Sequence, residues 1–568
     1  MSSKVSQNLR SIILIVIVAF VFVLPVLRLI QMSLVADGAF SLNNYIQMLG
    51  EERTLHAIEN TIIISVCSTL ISVVAGTFFA FLAAYTNMKR KGLMEILVLA
   101  PYIIPSYITT LSWSTVFSDH GNLNTFLESV GLPMVNIYSI GGIILVMGIC
   151  NIPMVYLMVV SMFRKVPKDM EWAARAAGFG TWDVLRKITF HQVAPGIAAG
   201  GVLAFLASID NFAVPAFLGI PSGIPVLSTY IYEQAIGFGP SSFNLAATLS
   251  VILSIIALGG TFLQSKIVKK SSGMESVKED YSVRVAFKER TRKWVEGISL
   301  VVLVLVNVFP LLTMITSAFF TNYGGINLDN FTLDNFSFVF TSRSVGSAIR
   351  TSLLLAIFTC AVCIIIGTIV AYAKVRKQSK IAKLVENCAN LTYALPGIVL
   401  ALAMIFHWSD VPNVYGTIKI LMIAYITRYL VLQIKGSTTA LLSVESALEE
   451  AGRISGAGTF TIWRKIIIPM IIRPVLSGSF LIFTAALTEM TLSSMLASAG
   501  TRTIGLQIFS LQQAGNYSES AAMSTVLVIL ILIVYALSTW VGKSDGTKKK
   551  VTKAAAARKV RTSEAAQS

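Results

Sequence analysis

Twelve stretches of this 568-residue chain are long and apolar enough to cross a bilayer, and nothing else in it limits folding so severely. A helix rising 1.5 Å per residue needs about 20 residues to traverse about 30 Å of hydrocarbon. The stretches fall into two sets of six. The first set covers roughly 11–33, 62–86, 93–115, 139–163, 196–217 and 246–264. The second covers roughly 296–319, 349–373, 383–407, 416–436, 475–497 and 521–541. With 55% hydrophobic and 13% charged residues and a mean hydropathy of +0.74, the chain cannot be a soluble multidomain protein. The same numbers exclude a disordered chain, a collagen and a secreted disulfide scaffold. The expected fold is an all-α integral membrane protein of about 12 transmembrane helices.

The net charge of +17 does not require nucleic acid, because the Lys and Arg residues lie between the apolar spans. The segments 87–92, 164–195 and 265–293 are rich in them, whereas 116–138 and 218–245 contain none. The positive-inside rule therefore places the N-terminus, the centre of the chain and the basic tail (Lys548, Lys549, Lys550, Lys553, Arg558, Lys559 and Arg561) in the cytoplasm. The first segment lacks a cleavage site and exceeds a signal-peptide core, so it reads as a retained helix. Cys67, Cys150, Cys360, Cys363 and Cys388 all lie in or beside apolar stretches and form no disulfide framework. Cys360 and Cys363 match a CxxC spacing, but an apolar helix is not the electropositive setting that a redox pair needs.

The halves repeat each other at an offset of 278 residues. The first copy reads Glu171-Trp-Ala-Ala-Arg-Ala-Ala-Gly178, followed by Leu185-Arg-Lys-Ile188. The second reads Glu449-Glu-Ala-Gly-Arg-Ile-Ser-Gly456, followed by Trp463-Arg-Lys-Ile466. Each lies between the fourth and fifth spans of its half, so the chain is a tandem duplication with both halves in one orientation. Glu-x-Ala-x-Arg favours a helix, the Gly ends it, and a second short helix is expected to begin near Thr181 or Thr459. Small Ala and Gly leave room for another protein, and Glu and Arg are expected to supply charged contacts to it. A single copy could equally be a solvated loop helix; two copies at one spacing weigh against that. The expected domains are 1–265 and 294–542, with coupling loops near 164–195 and 437–474, a cytoplasmic linker at 266–293 and a basic, disordered tail at 543–568.

These loops resemble the EAA motif of membrane subunits of type I ATP-binding-cassette importers. The resemblance implies two six-helix permease domains fused in one chain. It also implies that Glu171, Ala173, Ala174 and Gly178, and likewise Glu449, Ala451, Gly452 and Gly456, form elements that dock on ATPase subunits, expected as two copies. An extracytoplasmic solute-binding protein is the other implied partner, and the bacterial cytoplasmic membrane the location. Trp172 replaces a usual small or acidic residue, Gly452 replaces the second Ala, and His191 stands where the family has the Pro that Pro469 retains. Asn60-Thr61, Pro105 and Pro396 add weaker likeness. Among fused permeases the chain looks most like those for ferric iron and 2-aminoethylphosphonate, with polyamine, thiamine and sulfate permeases more distant.

The chain carries no energy source of its own. Gly542-Lys543-Ser544 ends like a phosphate-binding loop, but Leu537 stands at the first Gly position. ATP and Mg are therefore expected on the partner, with no cofactor, metal site or catalytic residue in this chain. His56, His120, His191 and His407 are scattered and read as boundary or loop residues. Ionisable residues inside spans mark a pathway or a buried pair, and Asp210-Asn211 aligns with Thr488-Glu489 in the two fifth spans. If these residues line the path, a paired acidic ring favours cations or amines; the bland reading has each acid binding backbone or Arg at a helix end. Pro215, Gly219, Pro221 and Gly223 should shape an outer loop, whose Tyr230 and Tyr232 are candidates to meet the binding protein. The competing function is a twelve-span transporter driven by an ion gradient. A membrane-embedded enzyme lacks any catalytic constellation.

Overall fold

The computed structural model describes residues 11–36, 38–118, 121–237, 241–271, 279–321 and 328–543. His120, residues 272–278 of the linker and the tail from Ser544, including its seven named Lys and Arg, lie outside them. The described chain is almost entirely helical, with one antiparallel pair, Val35–Ala36 against Ala39–Phe40. In hydrocarbon every backbone N–H and C=O must find a partner within the protein, which the helix alone gives a single segment.

The first half builds α1 (Ser11–Ser33), α2 (Glu52–Tyr85), the bent pair α3 (Lys91–Ile103) and α4 (Ser106–Val116), and α5 (Ile140–Lys165). It continues with α6 (Lys168–Ala176), α7 (Thr181–Asp210), α8 (Ala213–Leu218) and α9 (Ser242–Ser271). The second half repeats the series nine labels later. It runs through α10 (Glu289–Ser317), α11 (Arg343–Val375), α12 (Lys380–Ala394), α13 (Gly397–Trp408) and α14 (Ile418–Leu442). Then follow α15 (Ser446–Ile454), α16 (Thr459–Leu487), α17 (Thr491–Leu496) and α18 (Tyr517–Lys543).

Among the described residues, nine helices qualify alone as straight spans, and the two bent pairs raise the number to 11. The stretches 93–115 and 383–407 are thus not single rods but bends of 103° and 113°. Their cause is Pro105 and Pro396: each pushes the residue before it, Ile104 and Leu395, into extended backbone and withholds an N–H. The twelfth expected stretch is the 25-residue helix α14, whose Lys419, Arg428 and Lys435 set it apart from the purely apolar spans. The fifth stretches also differ from expectation. Their helices start earlier, at Thr181 and Thr459, and break at Asn211 and Thr488.

Helices approach closely where side chains are small, as packing between spans requires. A Cβ on Gly76 of α2 would stand 2.8 Å from Val155 Cβ of α5, and Ser72 Oγ donates to Gly148 O at 2.7 Å nearby. In the second half Gly367 of α11 meets Gln433 of α14 in the same way. The first helix of each half crosses over: α1 packs on α13 and α10 on α4. Phe20 stands edge-on to His407 and Trp408, and Asn307 Nδ2 donates to Leu97 O at 3.0 Å. One buried cluster accordingly takes Leu249 and Met314 together with Val399 and Ile508. Val16, Leu70, Ile255 and Ile365 face outward toward the lipid.

Candidate coupling elements and translocation path

The two motif helices are built alike. α6 follows Pro167 and ends at Gly178, whose φ of +89° lets Phe179 N–H reach Ala174 O at 3.1 Å. α15 ends at Gly456, φ +78°, with Ala457 N–H on Gly452 O at 3.0 Å. A left-handed residue at this position closes a helix C-terminus, and Gly adopts it without a Cβ clash. Ala173 and Ala451 are exposed, Ala174 is buried, and a Cβ on Gly452 would lie 3.0 Å from Ile466 Cδ1. Thr181 and Thr459 begin helices as expected, but these are not separate short helices. Each runs on through a π-helical stretch, Leu185–Thr189 or Trp463–Ile467, into the fifth span. The motif turn is thereby continuous, through one helix, with the break at Asn211 or Thr488.

The expected charged contacts are not offered by the motif glutamates. Glu171 is 3% exposed and accepts from Tyr85 Oη at 2.8 Å, Thr189 Oγ1 at 2.7 Å and Arg284 Nη1 at 2.7 Å. Glu449, equally buried, accepts from Tyr372 Oη at 3.1 Å and Arg376 Nε at 2.7 Å. A carboxylate withdrawn from water needs such partners, so these residues seat α6 on Tyr85 and Arg284 and α15 on Tyr372 and Arg376. The exposed faces combine charged residues, Arg175 on the first and Glu450 and Arg453 on the second, with large apolar side chains. Trp182 (71% exposed) and Phe460 (77%) occupy equivalent positions, with Trp172, Phe179 and Ile454 beside them. Two aromatics 278 residues apart, just after the motif Gly, are the signal in the sequence that points to these faces.

The linker is also more than a spacer. Residues 279–288 lie along the base of α2 and α6: Arg284 and Val285 N–H both reach Tyr85 O at 2.9 Å, and Asn87 exchanges two hydrogen bonds with Phe287.

At the helix breaks, equivalent residues do equivalent work. Asn211 Oδ1 accepts Val214 N–H at 3.0 Å and so caps α8. Glu489 accepts Leu492 N–H at 2.9 Å and Ser493 N–H at 3.3 Å and caps α17. Thr488 Oγ1 returns to Thr484 O of its own helix. Asp210 alone reaches the other half. Its Oδ2 accepts from Arg428 Nη2 at 2.5 Å and its Oδ1 from Gly397 N–H at 2.6 Å, while Arg428 Nη1 holds Leu395 O at 2.9 Å. Asp210 thus caps α13 at the bend of the opposite half, and Arg428 pins that bend. Glu489 thus binds backbone at its own helix break, whereas Asp210 pairs with Arg428. Asp210 still lines a cavity of about 530 Å³ between the halves, with Leu206, Gln264, Tyr393, Pro396 and Lys435. Of the two outer-loop tyrosines, Tyr230 is buried against Glu51 and Arg53, and Tyr232 lines a cavity of about 370 Å³ with Arg502 and Phe509.

Two regions of the chain, residues 72–270 and 363–544, match the family of binding-protein-dependent transport system inner membrane components. The chain belongs to this family. As one of its members it is a multi-pass membrane permease with the family domain present twice, and the family is a transport component of importers rather than an enzyme. The ferric transport system permease protein FbpB of Actinobacillus pleuropneumoniae is 23% identical over 93% of this chain and 77% of its own length. The Fe(3+)-transport system permease protein FbpB 2 of Haemophilus influenzae is 22% identical over 91% of this chain and 95% of its own. The spermidine/putrescine transport system permease protein PotC of Escherichia coli, 27% identical, covers 42% of this permease and 90% of itself.

Proposed function

We propose that this permease forms the whole membrane pathway of an ATP-driven importer that carries ferric iron released by an extracytoplasmic binding protein. Two ATPase subunits, which bind ATP and Mg, dock on the exposed surfaces formed by α6 with the start of α7 and by α15 with the start of α16. Both termini and the motif helices face the cytoplasm of a bacterial cell. The observation that carries this reading is the paired, unbroken course from each exposed motif turn to a capped helix break at Asn211 or Glu489. Movement of a docked ATPase pulls on Gly178 or Gly456 and is transmitted along a single helix to the middle of the membrane. The Asp210–Arg428 contact between the halves is then made and broken as the halves rock, which is how parallel repeats alternate access. The two ferric-permease relatives spanning most of the chain support iron as the solute.

The test is uptake into proteoliposomes holding this chain with its co-eluting ATPase, with binding protein outside and ATP inside. Radioiron accumulation that needs all three components is expected. Accumulation of spermidine in its place would move the solute to the polyamine class, and uptake following an ion gradient without ATP would overturn the importer reading.

A further inference from the structure

We propose that linker residues 279–288 are a working part of the first coupling element, with Arg284 as the positioning residue that seats α6. The second half shows what the seat requires. Arg376, four residues beyond Tyr372 at the end of α11, gives its Nε to Glu449 Oε1 at 2.7 Å and its Nη2 to Val444 O at 2.6 Å. In the first half, Tyr85 takes the place of Tyr372 on Glu171, and Val166 is the equivalent of Val444 at the 278-residue offset. No residue of α2 supplies the cation. α2 ends at Tyr85, and Thr86 turns into extended backbone that bridges to Val285. Arg284 arrives from the linker and serves the same two acceptors, Glu171 Oε2 at 2.7 Å and Val166 O at 3.1 Å.

The segment is fixed around that arginine from several sides. Asp280 N–H donates to Arg164 O at 2.7 Å, Asp280 Oδ2 accepts from Arg284 Nη2 at 3.0 Å, and Arg175 of α6 gives its Nη2 to Arg284 O at 3.2 Å. Beyond it, Glu296 of α10 accepts the backbone N–H groups of Lys89 and Arg90. With Glu171 and Arg284 side chains 3% and 4% exposed, undocking this strand leaves a buried carboxylate without its cation, the costly way to break such a pair. Seating α6 and docking the linker are therefore one equilibrium. The first coupling element is consequently tied to α10, the leading helix of the other half, whereas the second depends on its own half alone.

The docking of α6 on an ATPase belongs to the function proposed above; the seating does not, and can be measured on the chain by itself. Amide hydrogen exchange is followed over 168–180 and 446–458 in the full-length chain in lipid nanodiscs. Arg284→Ala is expected to speed exchange over 168–180 about tenfold or more and leave 446–458 unchanged, with Arg376→Ala doing the converse. Arg284→Lys, which keeps the charge and loses the fork, gives a smaller rise and serves if the Ala variant does not accumulate. Replacing 279–288 by Gly and Ser at equal length should act like Arg284→Ala. A protease cut introduced between 272 and 278 should leave the exchange of 168–180 at its native rate. An unchanged 168–180 in Arg284→Ala, an equal rise in both elements, or a cut that acts like the Gly/Ser replacement would overturn the proposal, the last because the segment would then be only a tether.

Discussion

Converting Asp210 to Asn keeps the shape of the side chain and removes its charge, so it isolates what the ion pair with Arg428 contributes. Arg428 is 10% exposed in its side chain and Asp210 40%. Breaking a fully buried pair by removing one partner costs about 3–5 kcal/mol, and a single hydrogen bond to a charged group contributes about 1.5–3 kcal/mol. The partial solvation of Asp210 places this contact in the lower range, at about 2 kcal/mol, because water screens an exposed carboxylate. At about 1.4 kcal/mol per factor of ten, that is roughly a 30-fold change in how often the contact opens. Gly397 N–H, whose acceptor is Asp210, reports each opening. Hydrogen exchange over 395–408 in nanodiscs should therefore rise roughly 30-fold at the Gly397 end in Asp210→Asn. Arg428→Gln should act similarly, and the double variant should be no worse than the more severe single. Unchanged exchange in Asp210→Asn, or effects that simply add in the double variant, would refute the assignment of Asp210 and Arg428 as one contact holding the halves together.

Other perturbations separate seating from docking. Gly178→Val and Gly456→Val place a branched side chain at positive φ with no neighbour within 4 Å, so each should cost about 1–2 kcal/mol through the backbone alone, visible as faster exchange of α6 or α15. Trp182→Ala and Phe460→Ala remove exposed rings and should leave the chain's own thermal stability almost unchanged, while weakening co-elution with the ATPase by about 10-fold or more each. The backbone N–H of Ser282 holds the Asp280 carboxyl below its ordinary range. A lowered pKa means its contribution to linker docking is complete above about pH 4 and is lost as pH falls further. After correction for intrinsic rates, exchange over 279–288 should be flat from neutral pH down to about pH 5 and rise only below about pH 4. A rise that begins near neutrality would contradict that role.

The apolar stretches and the doubled motif made the two-half helical plan legible, because span length and a fixed repeat are one-dimensional signals. Gly178 and Gly456 were legible too, since ending a helix there depends on the local chain. The bends at Pro105 and Pro396 are not legible from hydropathy, which averages across a break. Glu171 reads as a surface charge in the sequence because its burial depends on Tyr85, 86 residues away, and Arg284, 113 residues away. The partner of Asp210 lies 218 residues on, in a helix whose Arg428 looks misplaced in hydrocarbon until the other half covers it. The docking of the linker is not legible in the sequence, because it depends on Arg284 reaching Glu171 and on Phe287 meeting Asn87 200 residues before it.

The central claim is that two motif helices of one chain each hold an ATPase. Native mass spectrometry of the complex released gently from membranes measures this directly. The account predicts one copy of this chain with two ATPase copies, falling to one when either Trp182 or Phe460 is replaced by Glu and to none when both are. A chain that leaves the membrane without any ATPase, and whose vesicles take up solute on an ion gradient alone, would contradict it.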